Sequence, residues 1–486
     1  MKVKFVKLIL ALYFISPVLI IAYYFKYQAD ESLKEIVVAV QNSLYHGFVT
    51  SVLALSVGFL VAPSVLVFRK KIRLILQYLL LVPIYLPSLF VILIALSLFN
   101  PFPMGNNGVV IVLIMIHLGY VISLLSVQIE HQIGSLAHVS LIYNLSKWNF
   151  LKNILFPQIK STLAFLFVII FVNSITAFTI PFILGGGRGR NLEILIYEKI
   201  FVDYKWFSAI LICVIQQISI STMTYFFIKK EVFKKNYSEV TYPFQYVFKL
   251  SYFMLFGYLG VFGFGYIKLA LNAFSHKYIG LLYEKYFYSD IYYSFLNSIV
   301  LFFSNIIIFS FLFLLVLYLL WCNAKTRFLS LFMNSSVVLV GVAYYFLFPI
   351  QNLFLNILKI SIIFNIVYFV TLYKSVLEKP ILQLKSQILV SQIYNLNFVY
   401  CLKVILLPQL KKVLFYLGSV LFLMTISEFA IIKVSGANLS TLGILMASYL
   451  SSYRLEGAFI ISVVILLIWL IFSGLIGVLI GAYKKS

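Results

Sequence analysis

Ionisable side chains inside apolar stretches are the residues of this sequence whose chemistry first needs an explanation. Glu428, Lys359 and His117 each interrupt a run of hydrophobic residues. A charge is costly in the hydrocarbon of a bilayer, and where one is kept it often marks a transport path. Glu428 is the candidate for such a path, because a carboxylate there would attract a cationic passenger. The alternative is that it reaches water near the outer end of its segment or pairs with Lys433.

Lys359 and His117 have simpler interpretations. A lysine near the end of a span extends its ammonium group towards water, and a histidine in a span hydrogen-bonds to a neighbouring helix. We expect neither of them to bind a transported substrate.

Catalytic and metal-binding groupings are not predicted. The five histidines show no paired spacing, and Cys213, Cys322 and Cys401 are far apart, which fits neither a disulfide framework nor a metal site. No G-x-x-x-x-G-K-[ST] phosphate loop occurs, and the glycine-rich stretch LGGGRGR (184–190) falls on the predicted outer side. We therefore expect no catalytic residue, cofactor, metal or ATP-binding site in this chain.

The composition requires a bilayer. The chain has 486 residues, of which 63% are hydrophobic and 10% charged. Its net charge of +23 comes from short basic clusters between apolar stretches, such as RKKIR (69–73), and not from a basic face suited to nucleic acid. A spanning helix needs about 20 apolar residues, and this template gives twelve candidate spans.

The twelve spans predict an all-α polytopic membrane protein with two homologous six-helix halves. The halves are residues 1–235 and 236–486, and the N-terminal apolar run is read as a retained first span. Basic clusters alternate with the spans as the positive-inside rule requires, which predicts that both termini are cytoplasmic.

One polar segment occurs twice in this apolar chain. Residues 139–160 and 390–411 differ by a constant offset of 251 and are identical at 13 of 22 positions. A duplicated unit whose loop merely kept its sequence is the alternative, but the apolar spans would then be at least as similar, and they are less so. These segments lie in the predicted cytoplasmic loops 129–160 and 374–411.

The first copy has apolar residues at helical spacing. They are Leu141, Leu145, Trp148, Leu151 and Leu155. This spacing predicts a short amphipathic helix outside the membrane that stops near Pro157. An apolar face on a cytoplasmic loop predicts a protein partner.

Both loops resemble the coupling loop of type I ABC importer permeases, whose pattern is Glu-Ala-Ala, Gly, Ile and Leu-Pro at fixed spacing. The matching positions are His138, Val139, Ser140, Asn144, Ile154 and Pro157 in the first copy, and Leu389, Val390, Ser391, Asn395, Ile405 and Pro408 in the second. The acidic residue is missing, and Asn replaces Gly in both copies. Because Asn adopts the left-handed backbone conformation more readily than other non-glycine residues, the turn is expected to survive.

This resemblance implies a bacterial inner-membrane permease subunit. Its partners would be cytoplasmic ATP-binding subunits, as a homodimer, and a periplasmic or extracellular substrate-binding protein. Transport would proceed by alternating access driven by the ATPase subunits, with the helices at 139–151 and 390–402 as the levers on which those subunits pull. Two halves fused in one chain resemble the ferric iron and thiamine importers in particular.

Two predicted outer-side motifs favour thiamine or a thiamine phosphate over ferric iron as the passenger. The LGGG stretch with its following Leu-Glu and Ile-Tyr pairs, and SYRLEGA (452–458), are similar to motifs of thiamine-type permeases. The candidate contacts with the binding protein are Gly185, Gly186, Gly187, Tyr453 and Arg454.

Other classes of membrane protein stay open as alternatives. A gradient-driven secondary transporter with twelve spans would need ionisable residues deep in several spans, and these are sparse here. A membrane enzyme or lipid flippase would need a cluster of His, Asp or Glu at the interface, which the sequence does not offer.

Overall fold

The computed structural model describes most of the chain, and all regular structure in this part is helical. The described residues are 2–24, 33–99, 101–228, 248–274, 285–324, 326–332, 335–348, 352–452 and 454–482. The predicted fold class, an all-α polytopic membrane protein, is confirmed.

The helices follow the chain in two similar series. Up to residue 228 they are α1 (Lys2–Tyr24), α2 (Leu33–Leu66), α3 (Lys70–Tyr85), α4 (Ser88–Leu98), α5 (Asn106–Ile142), α6 (Lys147–Phe150), α7 (Phe156–Ile175), α8 (Thr179–Leu184), α9 (Leu192–Phe201) and α10 (Trp206–Ile228). Beyond it they are α11 (Lys249–Ala273), α12 (Lys285–Trp321), α13 (Val337–Leu347), α14 (Leu353–Leu372), α15 (Glu378–Gln383), α16 (Lys385–Ile393), α17 (Phe398–Cys401), α18 (Leu407–Ile426), α19 (Ala430–Val434), α20 (Leu442–Ser451) and α21 (Leu455–Ala482).

Ten helical segments of the described chain are long and apolar enough to cross a membrane. The third and ninth predicted spans, 74–99 and 328–349, differ from the prediction. The third is the pair α3 and α4, bent by 100°. In the ninth, a 3₁₀ helix (Arg327–Phe332) precedes α13.

Prolines explain the bend of the third segment and the end of the helix in the ninth. Leu86 has φ −71° and ψ 145° and precedes Pro87, and a residue before proline is driven out of the helical region. Likewise α13 ends before Phe348, which precedes Pro349 in the sequence. An 11-residue helix such as α4 or α13 is about 16 Å long, roughly half the hydrocarbon thickness.

The helices form two compact units whose membership crosses the predicted boundary between halves. The α2 unit contains residues 32–195 and 223–272, and the α12 unit contains residues 1–31, 196–222 and 273–486. Thus α11 packs among the helices of the first half, and α1 packs among those of the second.

Contacts of α1 show how it is held within the α12 unit. The Tyr13 hydroxyl donates to the carbonyl of Ile362 at 3.1 Å. Phe14 stacks on Phe332 with ring centroids 5.4 Å apart and also contacts Phe369. These residues lie between 320 and 370, far along the chain from α1.

The core of the α2 unit forms where α2, α5 and α7 pack together. Its fully buried apolar residues include Ala54, Ala62, Leu66, Val121, Leu125, Ile129, Leu166 and Ile170. Gly58 lets α2 approach α5 closely, because a Cβ there would lie 2.4 Å from Val121 Cγ1. Small residues at such crossings are typical of packed membrane helices.

Replacing Gly58 with alanine tests this crossing. Val121 is β-branched and cannot turn away, so G58A should destabilise the protein by about 1–3 kcal/mol. The control is G260A in α11, where a Cβ meets nothing within 4 Å. G260A should be neutral or slightly stabilising, and thermal unfolding in detergent compares the two. Equal midpoints for both variants would show that the close crossing does not limit stability.

Candidate functional site

The first repeated loop turns at Asn144. Helix α5 ends at Ile142, and Asn144 has φ 49°, in the left-handed region. The N–H of Leu145 donates to the carbonyl of Ser140 at 3.2 Å, which closes the last turn of the helix. The prediction that Asn supports this turn in place of Gly is confirmed.

The second loop turns in the same way at Asn395. Its φ is 55°, and the N–H of Leu396 donates to the carbonyl of Ser391 at 3.0 Å. Both copies therefore end one helix with the same backbone conformation at the same repeat position.

Each copy then starts a new helix with a side-chain cap. Ser146 Oγ accepts a hydrogen bond from the N–H of Asn149 at 3.3 Å, at the start of α6. In the second copy, Asn397 Oδ1 accepts from the N–H of Tyr400 at 2.7 Å, at the start of α17. The two caps are different residue types, so this similarity is not visible as sequence identity.

The expectation that the amphipathic helix stops near Pro157 is wrong. The N–H of Phe156 donates to the carbonyl of Leu151, five residues back, so the turn before the proline is a wide π turn. A π turn accommodates a residue that has no N–H to donate, and the helical run continues into α7. The second copy repeats this arrangement with Leu407, Leu402 and Pro408.

The two predicted levers are consequently not single helices. Each of 139–151 and 390–402 contains the end of one helix, the turn at Asn and the start of the next helix. The second part continues as one helical run over Lys147–Ile175 in the first copy and Phe398–Ile426 in the second.

The apolar face of the first loop is divided between the core and the surface. Leu151 and Leu155 are buried in the core of the α2 unit. Trp148 is 67% exposed, and Ile142 and Tyr143 are 78% and 74% exposed. The surface that is left for a partner is therefore the end of the loop and not the whole helical face.

The second loop presents the same exposed pair. Ile393 and Tyr394 are 77% and 74% exposed. We call Ile142 with Tyr143, and Ile393 with Tyr394, the loop tips. The loop tips are not among the site residues predicted from the sequence, although the Ile-Tyr pair is identical in both copies and directly precedes the turning Asn.

The remaining predicted residues of the first loop have different surroundings. His138 and Val139 belong to the helical backbone of α5, and their side chains lie outside the described part of the structure. Ser140 is buried, Ile154 packs against the core from its edge, and Pro157 begins α7.

Several of the predicted residues of the second loop line a groove. Val390, Ser391 and Ile405 line a cavity of about 360 Å³, together with Tyr394 of the tip. Leu389 is exposed, whereas Ser391 is buried and donates to the carbonyl of Ile388 at 2.6 Å.

The LGGG stretch forms a well-anchored turn. Gly186 and Gly187 have φ 53° and 78° and are exposed, while Gly185 is buried. Asn42 Nδ2 donates to the carbonyls of Arg188 and Arg190 at 3.1 and 2.9 Å. The turn therefore presents the backbone of two glycines at the surface.

The other predicted outer motif is only partly described. Arg454 is exposed, and its N–H donates to the carbonyl of Tyr449 at 3.0 Å, between α20 and α21. Tyr453 lies outside the described residues.

Glu428 is buried and caps a helix. Its carboxylate accepts a hydrogen bond from the N–H of Ile431 at 3.0 Å, at the start of α19. The Tyr368 hydroxyl also hydrogen-bonds to it. The expected alternative, a carboxylate that reaches water, is wrong.

Lys359 is bound to the other end of α19. Its Nζ donates to the carbonyl of Ser435 at 3.1 Å, and the side chain is buried, so the snorkelling interpretation is wrong. A carboxylate at the N-terminus and an ammonium group at the C-terminus both match the polarity of the helix dipole. These two charges therefore have a structural role within one short helix.

The first half satisfies the equivalent carbonyl without a charge. Leu184, 251 residues before Ser435, accepts a hydrogen bond from the N–H of Gly105 at 2.8 Å. His117, in α5, is buried, and within the described residues its Nδ1 makes no hydrogen bond.

Substitution of the two turning asparagines tests the loop geometry. Alanine in the left-handed conformation costs about 1–2 kcal/mol, so N144A and N395A should distort the turn. N144G and N395G are the controls, since Gly adopts this conformation without strain. We expect the alanine variants to lose a co-purifying ATPase in a pull-down from mild detergent, with thermal unfolding of the spans unchanged. Equal recovery with alanine and glycine would contradict a requirement for this turn.

Substitution of Glu428 separates its capping from a role in transport. E428Q keeps an oxygen that accepts from Ile431, whereas E428A leaves a buried N–H unpaired at a cost of about 1–3 kcal/mol. Thermal unfolding should therefore show a loss for E428A and little for E428Q. A raised KM for substrate uptake by E428Q, at unchanged stability, would support the predicted place of this carboxylate on a transport path. Equal destabilisation by both changes would contradict the cap.

Comparison with known proteins gives one family match. Residues 54–230 match the family described as "Binding-protein-dependent transport system inner membrane component". No curated protein and no solved structure matches the chain. The matched segment includes the first loop with its Asn144 turn and the continuous run from α6 into α7. The match indicates that residues 54–230 are similar to the permease domain of binding-protein-dependent ABC importers.

Proposed function

We propose that this chain is the permease subunit of an ABC importer in which two permease halves are fused, and that its passenger is thiamine or a thiamine phosphate. The observation that carries the proposal is the repetition of one loop geometry. Each copy has a left-handed Asn, a capped new helix, a π turn before proline and an exposed Ile-Tyr tip. A homodimer of ATPase subunits offers two equal binding sites and would need such a pair.

The loop tips suit a protein partner on the cytoplasmic side. An Ile and a Tyr that are about three-quarters exposed leave apolar area in water, and burying each stabilises a complex by about 1.5–3 kcal/mol. Tyr also brings a hydroxyl that can hydrogen-bond at the edge of a groove.

Movement of a tip would reach the membrane through one helical run. Lys147–Ile175 continues through the π turn, and Phe150, Leu151 and Leu155 fix its beginning in the core. When ATP closes the two ATPase subunits, a pull on the tip would therefore displace the span itself. Alternating access driven in this way needs no ATP site in the permease.

The proposed outer partner is a substrate-binding protein. The exposed backbone of Gly186 and Gly187 allows another chain to approach closely, and the exposed Arg454 adds a positive charge. The resemblance of LGGG and SYRLEGA to thiamine-type permeases supports thiamine. With the basic clusters inside, both termini lie in the cytoplasm of a bacterial cell, and the chain belongs to the inner membrane.

A gradient-driven transporter is less well supported by the membrane charges. Coupling to an ion gradient needs ionisable groups that exchange protons or ions during the cycle. Glu428 and Lys359 are instead hydrogen-bonded to the two ends of α19. Both groups therefore make structural hydrogen bonds, which argues against their exchanging protons or ions during a transport cycle.

Substitution of the tip tyrosines tests the partner assignment. Y143A and Y394A should each weaken binding of the ATPase about tenfold or more, because a well-packed tyrosine often dominates an interface. Y286A, at an exposed tyrosine of α12, is the control for a general surface effect. Affinity purification with an ATPase assay measures both. If the wild-type chain is isolated without any ATPase, or if Y286A is as harmful as the tip variants, the proposal fails.

The passenger is tested on the same preparation. The binding protein that co-purifies with the permease should bind thiamine in a calorimetric titration and stimulate ATP hydrolysis when loaded. Binding of ferric iron instead of thiamine would retain the importer and replace the passenger.

A further inference from the structure

A tyrosine of α11 hydrogen-bonds to two backbone groups of α5. The Tyr258 hydroxyl donates to the carbonyl of Met115 at 2.8 Å and accepts from the N–H of Gly119 at 3.2 Å. These two groups are also hydrogen-bond partners within an α-helix, because they are four residues apart. The hydroxyl therefore contacts both the donor and the acceptor of one backbone pair in α5.

Gly119 makes this contact possible. A Cβ at this position would lie 2.6 Å from the Tyr258 hydroxyl and 2.2 Å from the carbonyl oxygen of Leu80 in α3. Only a residue without a side chain lets α3 and α11 both reach the backbone of α5 here.

Towards the first loop, α5 is tied to α3 by polar side chains. Arg73 and Glu130 form an ion pair at 2.8 Å with both side chains largely buried. Gln77 Nε2 donates to Ser126 Oγ at 2.9 Å, and Ser123 Oγ donates to the carbonyl of Gln77 at 3.3 Å. In surroundings of low dielectric such pairs hold helices in fixed register.

We propose that Tyr258 is a positioning residue that makes α3, α5 and α11 move as one body when the first loop is displaced. The proposal rests on the proposed function, because it concerns how movement of the first loop is transmitted. The contact is specific to this half: Val370 is at the repeat position of Gly119 and has a side chain that would exclude such an approach. The first loop is thus connected to the first helix of the other half of the sequence.

Removing the Tyr258 hydroxyl should change the coupling between α11 and α5 more than it changes the free energy of unfolding. In Y258F the carbonyl of Met115 and the N–H of Gly119 can pair directly, so no buried polar group is left unpaired. The matched control is Y266F on the same helix. The Tyr266 hydroxyl is buried and makes no hydrogen bond within the described residues. Y266F therefore removes a hydroxyl from the same helix without removing a hydrogen bond.

The experiment measures the accessibility of the N-terminal end of α5 while ATP binds to the ATPase subunits at the loop. Asn107 is exposed in the first turn of α5 and is changed to cysteine as a reporter. Its modification rate by a maleimide is measured in the co-purified complex in nanodiscs, with and without ATP and vanadate. The parent chain corrects for Cys213, Cys322 and Cys401.

We expect ATP with vanadate to change the rate about threefold or more in the wild type and in Y266F, and to have much less effect in Y258F. ATP hydrolysis and the unfolding midpoint of Y258F should stay close to those of Y266F. A full ATP effect in Y258F would overturn the inference while leaving the proposed function intact. Absence of any bound ATPase in the wild type would overturn both.

Discussion

Backbone N–H and C=O groups that lack water as an alternative partner are the main constraint on this molecule. A continuous helix satisfies them internally, so each break in an apolar segment needs a specific partner from elsewhere in the fold. The π turns before Pro157 and Pro408 avoid a break altogether, since the N–H one residue before each proline finds a carbonyl five residues back. Where the chain does break, a side chain or a distant N–H supplies the missing partner.

The two halves solve the same backbone problem with different residues. After α7, Asn191 Nδ2 donates to the carbonyl of Ala177 and its Oδ1 caps α9. After α18, Thr441 donates to the carbonyl of Glu428 and caps α20. At these positions the backbone geometry of the two halves is therefore more similar than their residues are.

The fold class and the turning asparagines could be predicted from sequence because they follow from local rules. Apolar length gives spans, and a polar residue in place of Gly at a loop predicts a left-handed turn. The 100° bend at Pro87 and the short length of α13 could not be predicted from hydropathy, since both segments are as apolar as true spans. The loop tips were missed because exposure depends on which face of the loop the core of its own unit covers. The roles of Glu428 and Lys359 depend on a helix break that hydropathy does not reveal.

The exchange of α1 and α11 between the compact units has a consequence for the order of synthesis. The α2 unit can complete its packing once residue 272 has been made. Helix α1 is made before its partners Phe332, Ile362 and Phe369, which follow more than 300 residues later. At typical translation rates α1 would stay in lipid for tens of seconds without its final neighbours. The exposed apolar side chains of α1, such as Phe5 and Leu19, make lipid a tolerable temporary environment for this helix.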